Sequence, residues 1–182
     1  MANAHIRRKM LRDEYRTACG GRIVLPPKTK EHLVAHMEVG GLLEEVAGLL
    51  TLPRDGSFVA REVDLGRVVG RTGCVTADPA GFTGQATFAN RVGRRKASRV
   101  VVGVQGPEVS TVVVLAFAGQ ESATYVLITA YVGALAPKEP WDASPGTERD
   151  ESLRFWGENA LVYDPAVMGE PFASTWQEII NS

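Results

Sequence analysis

Two imidazoles stand four residues apart in Glu31-His-Leu-Val-Ala-His36. On a helix that spacing puts His32 and His36 on one stripe with Val39 and Leu43, at the border of the apolar face, where both rings can look into a cleft beside a sheet. Imidazole is the side chain whose ordinary pKa suits proton transfer near neutral pH, so a catalytic pair is one reading. A structural pair at a helix entrance is the other, and the spacing alone leaves both open. An i, i+4 histidine pair can also hold zinc. Here the pattern is not His-Glu-x-x-His, no third ligand is apparent, and neither Cys19 nor Cys74 belongs to a paired motif, so no metal site is expected.

Arg99 is the next chemically pointed residue, because it opens an apolar run directly after Ser98. A guanidinium at the edge of a half-buried sheet face needs an acceptor, either an internal carboxylate or a substrate phosphate. Just upstream stand Arg91, Arg94, Arg95 and Lys96. The last three read as a basic hairpin loop, which is either a solvated tip or a guide for a phosphate backbone. Thr129 and Tyr131 add two hydroxyls near the end of the last apolar run. Other catalytic signatures are missing: there is no G-x-x-x-x-G-K-[ST], no G-x-G-x-x-G after a strand and no G-x-S-x-G.

The elements that must position these groups follow from hydrophobic periodicity. Arg99-Val-Val-Val-Gly, Thr111-Val-Val-Val-Leu-Ala-Phe and Tyr125-Val-Leu-Ile-Thr-Ala-Tyr are β-branched and aromatic runs with short breaks, which predicts an antiparallel meander. Strict alternation in the third run puts Val126, Ile128, Ala130 and Val132 on one face and Tyr125, Leu127, Thr129 and Tyr131 on the other. Residues 1–18 suit a basic helix ended by Gly20-Gly21, with a short strand from Arg22 and a stop at Pro26-Pro27. Thr29 is the expected N-cap of a helical stretch from Glu31 to about Leu50, broken or bent at Gly40-Gly41. Candidate strands lie at 58–63, 65–75 and 87–92. After Gly133, residues 134–150 read as a long irregular connection in which Trp141 points to docking. A helix over 151–163 and a short one around Trp176 close the chain.

The expected architecture is therefore α+β: N-terminal helices packed on a four- to five-stranded antiparallel meander sheet, with a C-terminal helical and irregular extension. It is read as a single domain over 1–182, with an α+β core at 22–133 and the extension at 134–182. A length of 182 residues, 45% hydrophobic and 23% charged, is ordinary for one globular domain. No apolar run nears the roughly 20 residues of a membrane span, and no secretory signal is visible, so free thiols in a reducing cytoplasm are expected. The net charge of −1 hides a division: residues 1–100 carry 17 Lys/Arg against 10 Asp/Glu, and residues 101–182 carry 3 against 11. The basic half can meet a polyanion, or the two halves simply neutralise each other.

In the order of its parts the chain resembles the barnase–EndoU–colicin–RelE superfamily of ribonucleases, in its phage and polymorphic-toxin branches. The parts that look alike are Glu31-His-Leu-Val-Ala-His36 leading the helices, Ser98-Arg-Val-Val-Val opening a strand, and Ile128-Thr-Ala-Tyr131 closing the last one, over roughly residues 22–133. The resemblance implies a toxin-like, metal-independent and cofactor-free cleavage of RNA, transfer RNA among the candidates, by attack of a 2′-hydroxyl on its own phosphodiester. It further implies His32 or His36 as general base or acid, Arg99 holding the phosphate with Arg91 assisting, and Thr129 and Tyr131 donating hydrogen bonds to phosphate oxygens. A neutralising antitoxin or immunity protein is the partner implied by analogy. Several relatives carry a catalytic histidine on or after the sheet, whereas this chain has none after His36, so Tyr131 or a carboxylate would serve the second proton transfer. The competing expectation is a non-enzymatic accessory protein that binds a partner through the sheet face and the C-terminal aromatic segment.

Overall fold

A computed structural model of the chain describes residues 11–33, 37–53, 58–77, 86–103, 108–120 and 123–182. The chain packs as two compact units, each drawn from two segments: Met1–Thr72 with Val109–Leu135, and Gly73–Glu108 with Ala136–Ser182. The single antiparallel meander expected from sequence is corrected to two mixed five-stranded sheets, one per unit, plus a two-stranded ribbon. Among the described residues no helix is long and apolar enough to cross a membrane.

The first unit contains β1 (Glu14–Arg16), β2 (Arg22–Val24), α1 (Pro27–Leu33), α2 (Met37–Gly40), α3 (Leu43–Leu49), β3 (Phe58–Asp64), β4 (Gly70–Arg71), β8 (Val109–Ser110), β9 (Val112–Gln120) and β10 (Thr124–Val132). Its sheet has the order β1-β2-β10-β9-β3, antiparallel except where β10 runs parallel to β2, and β4 pairs with β8 in the ribbon. One face is apolar throughout: Tyr15, Ile23, Tyr125, Leu127, Phe117, Leu115, Val113 and Val59 pack with Leu33, Val39, Leu43, Val46 and Ala47 from the helices. Each large side chain removed from water in this way contributes about 1.5–3 kcal/mol.

Two local expectations change here. Residues 14–16 form a strand rather than the end of a basic helix, because burying Tyr15 opposite Ile23 requires the two-residue repeat of a sheet; residues 1–10 of the expected helix lie outside the described residues. The first core helix starts at Pro27, whose fixed φ suits a helix start, and Thr29 sits inside it instead of capping it. The break at Gly40-Gly41 is present, between α2 and α3. Gly133, at φ +130°, turns the chain after β10; a Cβ there would meet Thr72 Oγ1 at 2.7 Å, so only glycine fits.

The second unit contains β5 (Cys74–Thr76), β6 (Thr87–Ala89), β7 (Ser98–Val101), α4 (Thr147–Glu158), β11 (Asn159–Val162), β12 (Phe172–Ala173) and α5 (Trp176–Asn181), with sheet order β12-β6-β7-β11-β5. The run opened by Arg99 therefore does not lie beside β9. Its place there is taken by β3, which offers seven residues in register, with Val59 and Val63 opposite Phe117 and Val113. By contrast β7 is four residues long and almost wholly buried, which suits a central strand flanked by β6 and, in parallel, by β11.

Residues 136–182 form this unit together with residues 73–108. Helix α4 stops at Glu158, where Asn159 turns extended and caps Phe155 O with its side-chain amide, and the chain continues as β11 rather than as the helix expected to Tyr163. The 134–146 connection is docked, as Trp141 implied. Ser152 Oγ donates to Lys138 O, and the Trp156 indole donates to Pro137 O and Lys138 O. The short final helix is present with a reciprocal Thr175–Glu178 capping box.

Candidate functional site

Strand β2 pairs with β10 only at Thr124–Val126. Where β2 stops, α1 takes over: Thr29 Oγ1 donates to Leu127 O at 2.8 Å, and one turn later His32 Nε2 lies 3.0 Å from Thr129 Oγ1. A β-bulge at Ile128 decides which way the hydroxyl points. Strict alternation would have grouped Thr129 and Tyr131 with Tyr125 and Leu127. The extra residue shifts the register between Leu127 and Thr129, so Leu127, Ala130 and Val132 stay in the core while Thr129 and Tyr131 share the opposite face. Thr129 and Tyr131 are half-buried and Ile128 is exposed. An imidazole at hydrogen-bond distance from a hydroxyl, with a phenol two residues on along the same face, is a set of groups able to accept and donate protons. His36 lies outside the described residues.

The predicted cationic residues belong to the second unit. Arg99 is buried, and its Nη1 donates to the carbonyls of Trp156, Gly157 and Asn159, at 2.8 Å for the first and 3.4 Å for the last. These carbonyls close the C-terminal turn of α4, where the helix dipole is negative, so the guanidinium completes that helix end. Burial draws its pKa downward. Arg91 Nη1 contacts Glu139 Oε1 at 3.1 Å. Arg94 and Arg95 are exposed, whereas Lys96 Nζ donates to Ile180 O at 2.6 Å. An open pocket of about 410 Å³ next to this loop is lined by Arg95, Lys96, Asn90, Phe172 and Ser174 among others. His32, Thr129 and Tyr131 thus fall in one unit, and Arg91, Arg94, Arg95, Lys96 and Arg99 in the other.

One residue of the second unit escaped sequence reasoning. Glu139 is the hub of the second unit: its carboxylate accepts from Ser98 Oγ at 2.8 and 3.0 Å, from Arg91 and from the Trp141 indole at 2.7 Å. The available signal was a carboxylate set between Lys138 and Pro140-Trp141 in a connection already expected to dock. Neither cysteine is in a disulfide. Cys19 is exposed and its pKa is lowered to about 7, chiefly by the Thr17 hydroxyl and then by the backbone N–H groups of Leu52 and Gly21. Cys74 is pushed up to about 11 by burial and by the charge of Glu139. Among the described residues no group of three or more His, Cys, Asp and Glu side chains could hold a metal ion. Compared with known proteins, the chain matches no family model, no curated protein and no solved structure.

Proposed function

We propose that this chain is a metal-independent, toxin-like ribonuclease that cleaves RNA by 2′-hydroxyl transesterification, with His32, Thr129 and Tyr131 at its centre. The observation that supports it is the 3.0 Å approach of His32 Nε2 to Thr129 Oγ1, with Tyr131 on the same sheet face. In the reaction a base takes the 2′-hydroxyl proton, the oxygen attacks the adjacent phosphorus, and the 5′-oxygen leaves with a proton. The products are a 2′,3′-cyclic phosphate and a 5′-hydroxyl. His32 exchanges a proton with the nucleophile or the leaving group, and the Thr129 hydroxyl orients the ring. The Tyr131 hydroxyl donates to a phosphate oxygen as charge builds in the phosphorane.

The test is incubation of the full chain with total RNA in excess chelator, with cyclic-phosphate ends read by mass spectrometry. His32→Ala and Tyr131→Phe are each expected to slow cleavage by about 10²–10⁴-fold, the usual worth of a positioned acid or base. Intact RNA across transfer, ribosomal and messenger pools refutes the reading. A second reading, that of a non-enzymatic accessory protein, is favoured by Arg99. The guanidinium that the family resemblance assigns to phosphate is engaged by three main-chain carbonyls. Intact RNA together with a stoichiometric protein complex is the outcome this second reading expects.

A further inference from the structure

Arg16 of β1 and Arg22 of β2 are directly opposed, and Arg22 is in turn opposite Thr124 of β10. Opposed residues share a face with Cβ atoms about 4.5–5.5 Å apart, so the backbone register holds two guanidiniums side by side, a destabilising arrangement unless an anion stands between them. Among the described residues one carboxylate contacts the pair. Glu14 lies 3.4 Å from Arg16 Nη2 through one oxygen and 3.6 Å from Arg22 Nη1 through the other. Both contacts are looser than charge-assisted hydrogen bonds, which close to about 2.7–2.9 Å. One negative charge against two leaves the cluster positive. The side chains of Arg16, Arg22 and Glu14 are 67%, 47% and 43% exposed, so the cluster is open to a ligand. Arg22 Nη2 also donates to Thr124 Oγ1 at 3.3 Å, which orients its guanidinium.

The pair is also pre-set by the turn that joins its strands. Thr17 N–H donates to Gly21 O, Gly20 N–H to Thr17 O, and Gly21 N–H to Thr17 Oγ1, with Gly20 at φ +82°. Because opposed residues share a face, Arg16, Arg22 and Thr124 lie on the same side of the sheet as Val126, Thr129 and Tyr131. Four ladder positions separate Thr124 from Thr129, the bulged residue not counting, which is about 13 Å along the strand.

We propose that Arg16 and Arg22 form a phosphate-binding subsite for a single RNA strand whose scissile bond lies at Thr129 and Tyr131. Two guanidiniums grip a phosphate through several N–H donors in fixed planes, and Glu14 is the internal anion that the phosphate displaces. The proposal takes its substrate class from the ribonuclease reading. It also supplies, within the unit that holds His32, a cationic anchor that Arg99 does not offer.

The experiment measures binding of a fluorescein-labelled single-stranded RNA 10-mer by anisotropy, in chelator, at a series of salt concentrations. The full chain carries His32→Ala throughout, so that cleavage does not interfere. Arg16→Gln and Arg22→Gln are each expected to weaken binding, together by on the order of tenfold at low salt, and to lower the slope of log affinity against log salt by about 0.7, as for one lost single-strand phosphate contact. Glu14→Gln is expected to tighten binding, which no loss of folding can mimic. Absent binding by the parent chain, a double arginine variant within twofold of it, or weaker binding by Glu14→Gln each overturns the subsite. If binding follows the expected order while the chain with native His32 leaves all RNA intact, the subsite stands and the ribonuclease reading falls. Cleavage of RNA by a chain whose arginine variants bind normally has the opposite meaning.

Discussion

Arg99→Met separates a structural guanidinium from a phosphate-holding one. In the second unit Arg99 Nη1 makes two close contacts, to Trp156 O and Gly157 O, and a 3.4 Å contact to Asn159 O. Hydrogen bonds from a charged donor contribute about 1.5–3 kcal/mol each, and buried carbonyls left without a donor carry a comparable penalty. All three share one nitrogen, so the losses do not add, and Met retains much of the aliphatic packing. A net destabilisation of about 3 kcal/mol follows from these terms. For a chain of 182 residues melting as one transition, this lowers Tm by about 6–12 °C. Arg99→Lys keeps the charge but offers a single nitrogen without the planar fork, and its Tm should fall between the two. Calorimetry at neutral pH reads both. Cleavage measured well below the variant's Tm completes the test, because a purely structural Arg99 leaves the rate within a few fold. Should Arg99→Met melt within about 2 °C of the parent, the carbonyls of α4 do not depend on this residue, and the structural argument is refuted.

Glu139→Ala strips the acceptor from Arg91, Ser98 and Trp141 at once, in a place where the Glu139 and Arg91 side chains are only 10% and 19% exposed. Removing one partner of a buried ion pair costs about 3–5 kcal/mol, to be read from the urea midpoint, and an unchanged midpoint contradicts the hub assignment. Alkylation by iodoacetamide should distinguish the thiols. With its pKa lowered to about 7, Cys19 carries thiolate from a lower pH than an ordinary cysteine, so its rate should rise through pH 7 and level off above it. Cys74, raised to about 11 and half-buried, should remain unmodified over that range. Peptide mass mapping follows both, and Thr17→Val should move the Cys19 midpoint upward. A midpoint near that of a free thiol would show that the Thr17 contact does not act on Cys19.

The α+β class and the strands β3, β7, β9 and β10 were legible because runs of β-branched and aromatic residues are strong local signals. Which strands pair was not. The runs beginning at Arg99, Thr111 and Tyr125 look alike and follow one another, so the simplest inference joins them. What separates them is a competition that no single run reveals: β3 pairs with β9 over seven residues, while β7 gains partners on both flanks from β6 and β11. The end of α4 was misread for a related reason. Ala160 and Leu161 satisfy a helical period as well as a strand, and pairing on both flanks settles the choice, antiparallel to β5 and parallel to β7.

For the candidate site, residue types were legible and facing was not. Periodicity arguments assume that no residue is inserted, and one bulged Ile128 reverses the face of everything after it in β10. That reversal takes Thr129 out of the set that includes Leu127, and α1 brings His32 to its hydroxyl. Arg99 shows the converse error. Sequence correctly demands an acceptor for a guanidinium beside an apolar strand, but carboxylates and phosphates were the only acceptors weighed. A helix C-terminus offers unpaired carbonyls with a partial negative charge, and it meets the same demand without any ion. The same reasoning explains why Arg16 and Arg22 drew no notice. Arg16 reads as part of a basic helix and Arg22 as the start of a separate strand, and only the hairpin register makes them neighbours with one loosely held carboxylate between them.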